Sequence, residues 1–237
     1  MSSSFRSSRF VDFNTGCVVH QPLQYMRQFH PPKSLDDKIE IFECRVEVWQ
    51  LGVAVEILKQ IESQAQSSIW CHSAFALLSI IVSYFEIIGK SLNPNSAKSG
   101  TSGADFNWGF CDVYPAYRPA NGVYEDNLAA LSGKKGGPKN PDIASVVGFR
   151  NRLRNGMYHI GFIKNGLTIH NCVATYPDDF VLVNNHGPLL YAVNPHNVTR
   201  TIVNHFPTFV VRLRDNDVSH DALRKKFVEF YDNFHSV

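Results

Sequence analysis

The stretch that most limits the fold is Ile69–Ser91, the most apolar part of the chain. Its length is enough to raise the question of a membrane span. It also carries His72, Ser79, Ser83, Glu86 and Lys90, the last four within roughly 40° of His72 on a helical wheel. A helix bathed in lipid does not keep a polar stripe along its whole length without a partner for it. The pattern therefore predicts the central helix of a bundle, buried on three sides. The stripe either meets water or meets a polar group on another helix.

Other segments supply the neighbours of such a helix. Ser34 is placed to cap a helix, with Asp36 and Asp37 in its first turn. From there Ile39, Phe42, Val46, Trp49, Val53, Ile57 and Ile61 recur at three and four residues, which predicts an amphipathic helix to about Ser63, with Gly52 a place where it could divide. Asn194-Pro195 starts a helix that runs to about Arg214, with a kink or break expected at Pro207. Ser219 is the expected cap of a last helix, Ala222 to Phe234, with Leu223, Phe227, Phe230 and Tyr231 facing inward.

Between these lie two less regular regions. Residues 93–141 read as loop, punctuated by glycine clusters at 99–103 and 133–138, with one short helix at Tyr124 to Leu131. Residues 161–193 read as a small antiparallel β insertion. Asn165-Gly166 marks a hairpin between Gly161–Lys164 and Leu167–His170, and short strands follow at Phe180–Val183 and Leu189–Val193. Residues 1–33, rich in Ser and Arg and then broken by Pro22, Pro31 and Pro32, read as an extended arm. The expected architecture is mainly α: one helical-bundle domain over 34–237 with a β insertion before the C-terminal helices.

Composition removes several function classes. With 237 residues, 44% hydrophobic and 19% charged, the chain can bury a sizeable core. A net charge of +2 is too mild to announce a nucleic-acid binder by itself. The five cysteines are scattered and contain no Cys-x-x-Cys pair, so they predict reduced thiols and no zinc site. Met1–Arg9 lacks the apolar run of a signal peptide, and a cytoplasmic location is expected. Gly89-Lys90-Ser91 ends like a phosphate-binding loop, but position 84 is Tyr and no strand precedes it. No cofactor, metal or membrane partner is expected.

The chemistry concentrates in the stretch from Phe149 to His159. Val146, Phe149, Leu153, Met157 and Ile160 share one helical face, while Arg154, Asn151, Asn155 and His159 point away from that seam. Tyr158 lies on the same outer side. The spacing Arg154-Asn155-x-x-x-His159 resembles the signature of HEPN domains, small helical bundles of which many are metal-independent ribonucleases and many are toxins. The resemblance covers roughly Leu35 to Phe162. It departs from a plain helical motif at Gly156, which costs about 1 kcal/mol of helix stability relative to Ala.

The resemblance implies a homodimer whose two motif helices form one cleft, with RNA as substrate and an antitoxin-like protein as a further partner. The residues suit the chemistry. His159 is suited to moving protons, because imidazole as a group titrates near neutral pH. Arg154 can grip a phosphate through its fixed fork of donors, and Asn155 can orient phosphate or ribose. Glu86 or Ser83 on the central helix, with Tyr158, would support the pair. Arg150, Arg152, Lys134 and Lys135 are candidate phosphate contacts. Two readings stay open at this point. One is an endoribonuclease using the 2′-hydroxyl as nucleophile. The other is a non-catalytic nucleotide- or protein-binding module in which Arg154 merely pairs with Glu86.

Overall fold

A computed structural model describes residues 34–63, 73–93, 102–118, 146, 148–154, 167–169, 179–183 and 190–235. The described chain is mainly helical, as the periodicities predict. The expected arm 1–33, the short helix at Tyr124–Leu131 and the hairpin at Asn165-Gly166 lie outside the described residues.

Helix α1, Leu35–Cys44, opens with a reciprocal cap. Ser34 Oγ accepts from the Asp37 amide and Asp37 returns a bond to the Ser34 amide, both at 3.1 Å. The helical run continues without a break through a π-helical segment, Arg45–Leu51, into α2, Gly52–Ser63. The Gly52 N–H reaches back five residues to Glu47 O, the signature of the wider turn.

That widening corrects the expected seam. Ile39, Phe42 and Val46 are buried as predicted, but beyond the π segment the buried positions become Leu51, Ala54 and Leu58. Trp49 and Val53, predicted to face inward, are 60% and 48% exposed. A π turn accommodates an extra residue, so every side chain after it is rotated against an ideal 3.6-residue count.

Helix α3, Ser73–Leu92, is the expected centre, with Leu77, Leu78, Ile81, Val82, Tyr84, Phe85 and Ile88 buried. By length and composition it could cross a membrane, yet half of its most apolar window is buried inside the protein. Its stripe is partly a solvent face, with Ser79 bonded back to the Phe75 carbonyl, and partly a partner face at Glu86.

Helix α4, Ser102–Val113, occupies ground read as loop. Gly103, Asp105, Asn107 and Gly109 all weaken a helical reading. Packing overrides them. A Cβ on Gly89 would lie 1.6 Å from Asp105 O, and one on Gly109 would lie 1.9 Å from Phe85 O. The two helices thus touch backbone to backbone, which only glycine permits at these positions. Asn93 Nδ2 donates to the buried Asp105 Oδ1 at 2.7 Å and fastens the same crossing.

Helix α5 comprises 148–154 of the motif stretch, with Val146, Phe149 and Leu153 buried, in agreement with the apolar face read from sequence. Phe149 packs against Phe106 and Phe110 of α4 at centroid distances of 6.5 and 5.7 Å. Phe110 is therefore core, and Tyr114 and Tyr117 pack against that core.

The strands are β1, Leu167–Ile169, β2, Phe180–Val183, and β3, Leu190–Val193. Their order is β1-β3-β2, with β2 antiparallel and β1 parallel to β3. The sheet is therefore mixed, a correction to the antiparallel insertion expected from hairpin signals. Asp179 ties it to the helices. Its Oδ2 accepts from Tyr114 Oη and Thr201 Oγ1, each at 2.6 Å, and its carbonyl accepts from the Asn194 amide at 2.9 Å.

Helix α6, Pro195–Arg214, is capped by Asn194 and runs through the exposed Pro207 without ending there, so the expected break does not occur. Helix α7, Asp221–His235, follows a short 3₁₀ turn, Val218–His220. Asp217 caps that turn, its carboxylate accepting from the Ser219 amide at 2.8 Å. Phe227 and Tyr231 are buried and Leu223 and Phe230 pack against the core, as expected. The core joins Phe42, Phe206, Phe209 and Phe227 on one side of α3 to Phe106, Phe110 and Phe149 near α4.

Candidate functional site

The apolar face of α5 decides where its arginines go. With Phe149 packed against α4 and Leu153 buried in the core, the neighbouring Arg150 and Arg154 lie on the flank of the helix, one turn apart. That flank faces two other helices.

Arg154 Nε donates to Glu86 Oε1 of α3 at 2.6 Å, and both side chains are 17% exposed. The distance is that of a strong charge-assisted bond, in a place where water only partly screens it. The expected pairing of Glu86 with Arg154 is therefore present. Ser83, one turn earlier on α3, is half-buried on the same stripe.

Arg150 turns instead to α4. Its Nη1 donates to the Gly103 carbonyl at 2.9 Å and its Nη2 to Asn151 Oδ1 at 3.3 Å. A Cβ at Gly103 would meet Arg150 Nη1 at 3.1 Å, so the guanidinium head lies directly against the glycine. Burial, with the charge of Arg154 added, lowers the Arg150 pKa from its ordinary value. Arg152 Nη1 donates to the Gly148 carbonyl of its own helix at 3.3 Å. Asn155, Tyr158, His159, Lys134 and Lys135 lie outside the described residues. The structure thus brings together Arg154, Glu86 and Arg150 and shows nothing of the motif's imidazole.

A second polar centre escaped the sequence reading. It sits where α3, α4 and α6 meet, around Asp112, whose side chain is 4% exposed. Arg212 donates to both Asp112 oxygens through Nη1 and Nη2, and Arg118 Nη2 donates to Oδ1 at 2.6 Å. His205 Nε2 lies 3.1 Å from Asp112 Oδ2, and its Nδ1 lies 2.7 Å from Tyr84 Oη. With the carboxylate as acceptor, the imidazole carries its proton on Nε2, and the Tyr84 hydroxyl donates to Nδ1.

Burial alone would raise the Asp112 pKa. Hydrogen bonds from His205 and Arg212, with the charge of Arg212, overcome this and hold it at about 2. Tyr84 is pushed well above the usual phenol range, first by burial and then by the negative charge of Asp112. Tyr84 is wholly buried, and through it this network braces three helices. The one local hint was His205 and Arg212, seven residues apart on one helix face.

Among the described residues no group of three or more His, Cys, Asp or Glu side chains is placed to hold a metal ion. Compared with protein-family models, curated proteins and solved structures, the chain gives no match.

Proposed function

We propose that this chain is a HEPN-type, metal-independent endoribonuclease of toxin or defence type, acting in the cytoplasm as a homodimer. The observation that carries the reading is the Arg154–Glu86 bond of 2.6 Å at the partly exposed edge of the core. It supplies what the motif asks for, a guanidinium held in one orientation by a carboxylate from the central helix. The remainder of the argument is the spacing Arg154-Asn155-x-x-x-His159.

In the reaction proposed, the ribose 2′-hydroxyl attacks the adjacent phosphorus and the bond to the 5′-oxygen breaks. The products are a 2′,3′-cyclic phosphate and a free 5′-hydroxyl. His159 moves the proton to or from an oxygen that changes charge. Arg154 stabilises the phosphate oxygens as charge accumulates on them, and Asn155 orients the substrate. Glu86 acts on Arg154 and not on the substrate, which makes it a positioning residue. Tyr158 and Ser83 are support at the rim.

The test is incubation of purified protein with RNAs of varied sequence in excess chelator, with the ends of the products analysed. Cyclic-phosphate ends from the parent, and at least a hundredfold less cutting by His159→Ala, are the expected result. Intact RNA, or equal cutting by that variant, would end the nuclease reading.

One observation favours a second reading. Arg150, Arg152 and Arg154 all donate to groups of the protein itself. A non-catalytic module that binds a nucleotide or a protein would use the same face without turnover. Binding lost in Arg154→Ala, with no RNA cleavage by the parent, would establish it.

A further inference from the structure

The motif helix is held at two points along one flank. Arg150 and Arg154 lie one turn apart and about 40° from each other around α5, yet they reach different helices. Arg150 Nη1 donates to the Gly103 carbonyl of α4 at 2.9 Å, and Arg154 Nε donates to Glu86 Oε1 of α3 at 2.6 Å. A Cβ on Gly103 would stand 3.1, 3.3 and 3.6 Å from Arg150 Nη1, Cζ and Nε, so the guanidinium lies across the bare Cα. A backbone carbonyl has two lone pairs, and a planar donor fork in such a seat keeps little freedom of direction.

The two anchor points are fixed relative to one another. Glu86 lies one turn before Gly89 on α3, and Gly103 lies two residues before Asp105 on α4. Gly89 and Asp105 are where these helices touch backbone to backbone, with 1.6 Å between the Asp105 oxygen and the place of a Gly89 Cβ. The other side of α5 is held by rings, Phe149 against Phe106 and Phe110. Apolar contact of that kind is non-directional and tolerates a small roll of the helix about its axis. At a side-chain radius of about 6 Å, a roll of about 20° carries a guanidinium roughly 2 Å, enough to part Arg154 from Glu86.

We propose that Arg150 is a positioning residue, whose bond to the Gly103 carbonyl fixes the roll of α5 and so sets the Arg154 guanidinium on Glu86. The use of that orientation in turnover rests on the nuclease reading, whereas the clamp itself does not. On this assignment Arg150 acts through Arg154 and not on the substrate, unlike the phosphate contact expected of it from the sequence.

The reporter is the Nε–H proton of Arg154 in proton–nitrogen NMR of the full chain, assigned by its loss in Arg154→Met. A short bond to a carboxylate moves this proton downfield, and Glu86→Gln marks the position it takes without that partner. In Arg150→Met it should move at least halfway to that position. Arg150→Lys, which keeps the charge and a donor, should restore most of the parent shift. Gly103→Ala pushes the same guanidinium aside by a few tenths of an ångström and should move the proton in the same direction. Leu51→Ala, which weakens the core beneath a different helix, should leave it in place.

An unmoved proton in Arg150→Met overturns the proposal, and so does an equal shift in Leu51→Ala. Should Arg150→Met fail to fold, Gly103→Ala decides in the same way. Kinetics separate the clamp from the nuclease reading. If the parent cuts RNA, Arg150→Met should lower kcat about tenfold or more while KM changes less than about twofold. A raised KM with kcat unaltered would make Arg150 a substrate contact and overturn the positioning role. If the parent cuts nothing while the proton moves as described, the nuclease reading falls and the clamp stands.

Discussion

Glu86 and Arg154, 68 positions apart in the chain, meet at 2.6 Å and join the central helix to the motif helix. Each is 17% exposed, so the pair is neither a solvated surface bridge nor a fully dehydrated one. Glu86→Gln leaves a guanidinium facing a neutral acceptor and should lower stability by about 1–2 kcal/mol in urea unfolding. Arg154→Met should cost about as much. The double variant should cost clearly less than the two singles added, because no charge is then stranded. Strict additivity would show that the bond contributes nothing. Under the proposed chemistry Glu86→Gln should also lower kcat more than it raises KM.

The contact of Gly89 with Gly109 predicts a harsher result. Any Cβ at Gly89 falls on the Asp105 carbonyl, and any at Gly109 on that of Phe85. Backbone cannot rotate aside as a side chain can. Gly89→Ala and Gly109→Ala should each destabilise by roughly 3 kcal/mol or more, despite alanine's better helix propensity. Gly52→Ala, whose nearest atom is Glu47 O at 3.2 Å, should cost far less. Thermal unfolding of the three variants orders them directly.

That crossing also marks where the sequence stops being legible. Local signals were enough for the capped start at Ser34, the buried face of α3, the ends of α6 and the inward residues of α7. They also located Phe180–Val183 as a strand. They failed for α4, because its glycines answer to distant partners, Gly109 to the backbone of α3 and Gly103 to Arg150 of α5. The parallel pairing of β1 with β3 failed for a related reason, since hairpin signals report sequence neighbours and not strand order. At the site, Glu86 was legible as the one carboxylate on the apolar α3, and Arg154 through the spacing of its motif. The Asp112 centre was not, since its members at 84, 112, 118, 205 and 212 share no local pattern.

The π segment makes a prediction opposite to that of the periodicity. An ideal helix through Phe42 and Val46 buries Trp49 and Val53, whereas the wider turn exposes them and buries Leu51. Trp49→Lys should change stability by no more than about 0.5 kcal/mol, while Leu51→Ala should cost about 2–4 kcal/mol. Iodide should quench Trp49 readily, a property measured by comparing the parent with Trp49→Phe. A large loss of stability in Trp49→Lys would restore the uninterrupted seam.

Asp112 predicts how the fold responds to acid. Its pKa is held at about 2 in the folded chain, below the ordinary carboxylate value near 3.9 in an unfolded one. A depressed pKa stabilises the fold wherever the carboxylate is ionised in both states. That contribution is therefore complete above about pH 4 and is lost as pH falls toward 2. The shift corresponds to roughly 2–3 kcal/mol. Arg212 and Arg118 remain charged throughout, so protonation of Asp112 leaves both facing a neutral acid. Asp112→Asn should lower stability at pH 7 and flatten the dependence between pH 4 and 2. Urea unfolding of parent and variant across that window measures the difference. Parallel curves would mean that the arginines and His205 give Asp112 no net stabilisation, and the junction of α3, α4 and α6 would then rest on its aromatic packing alone.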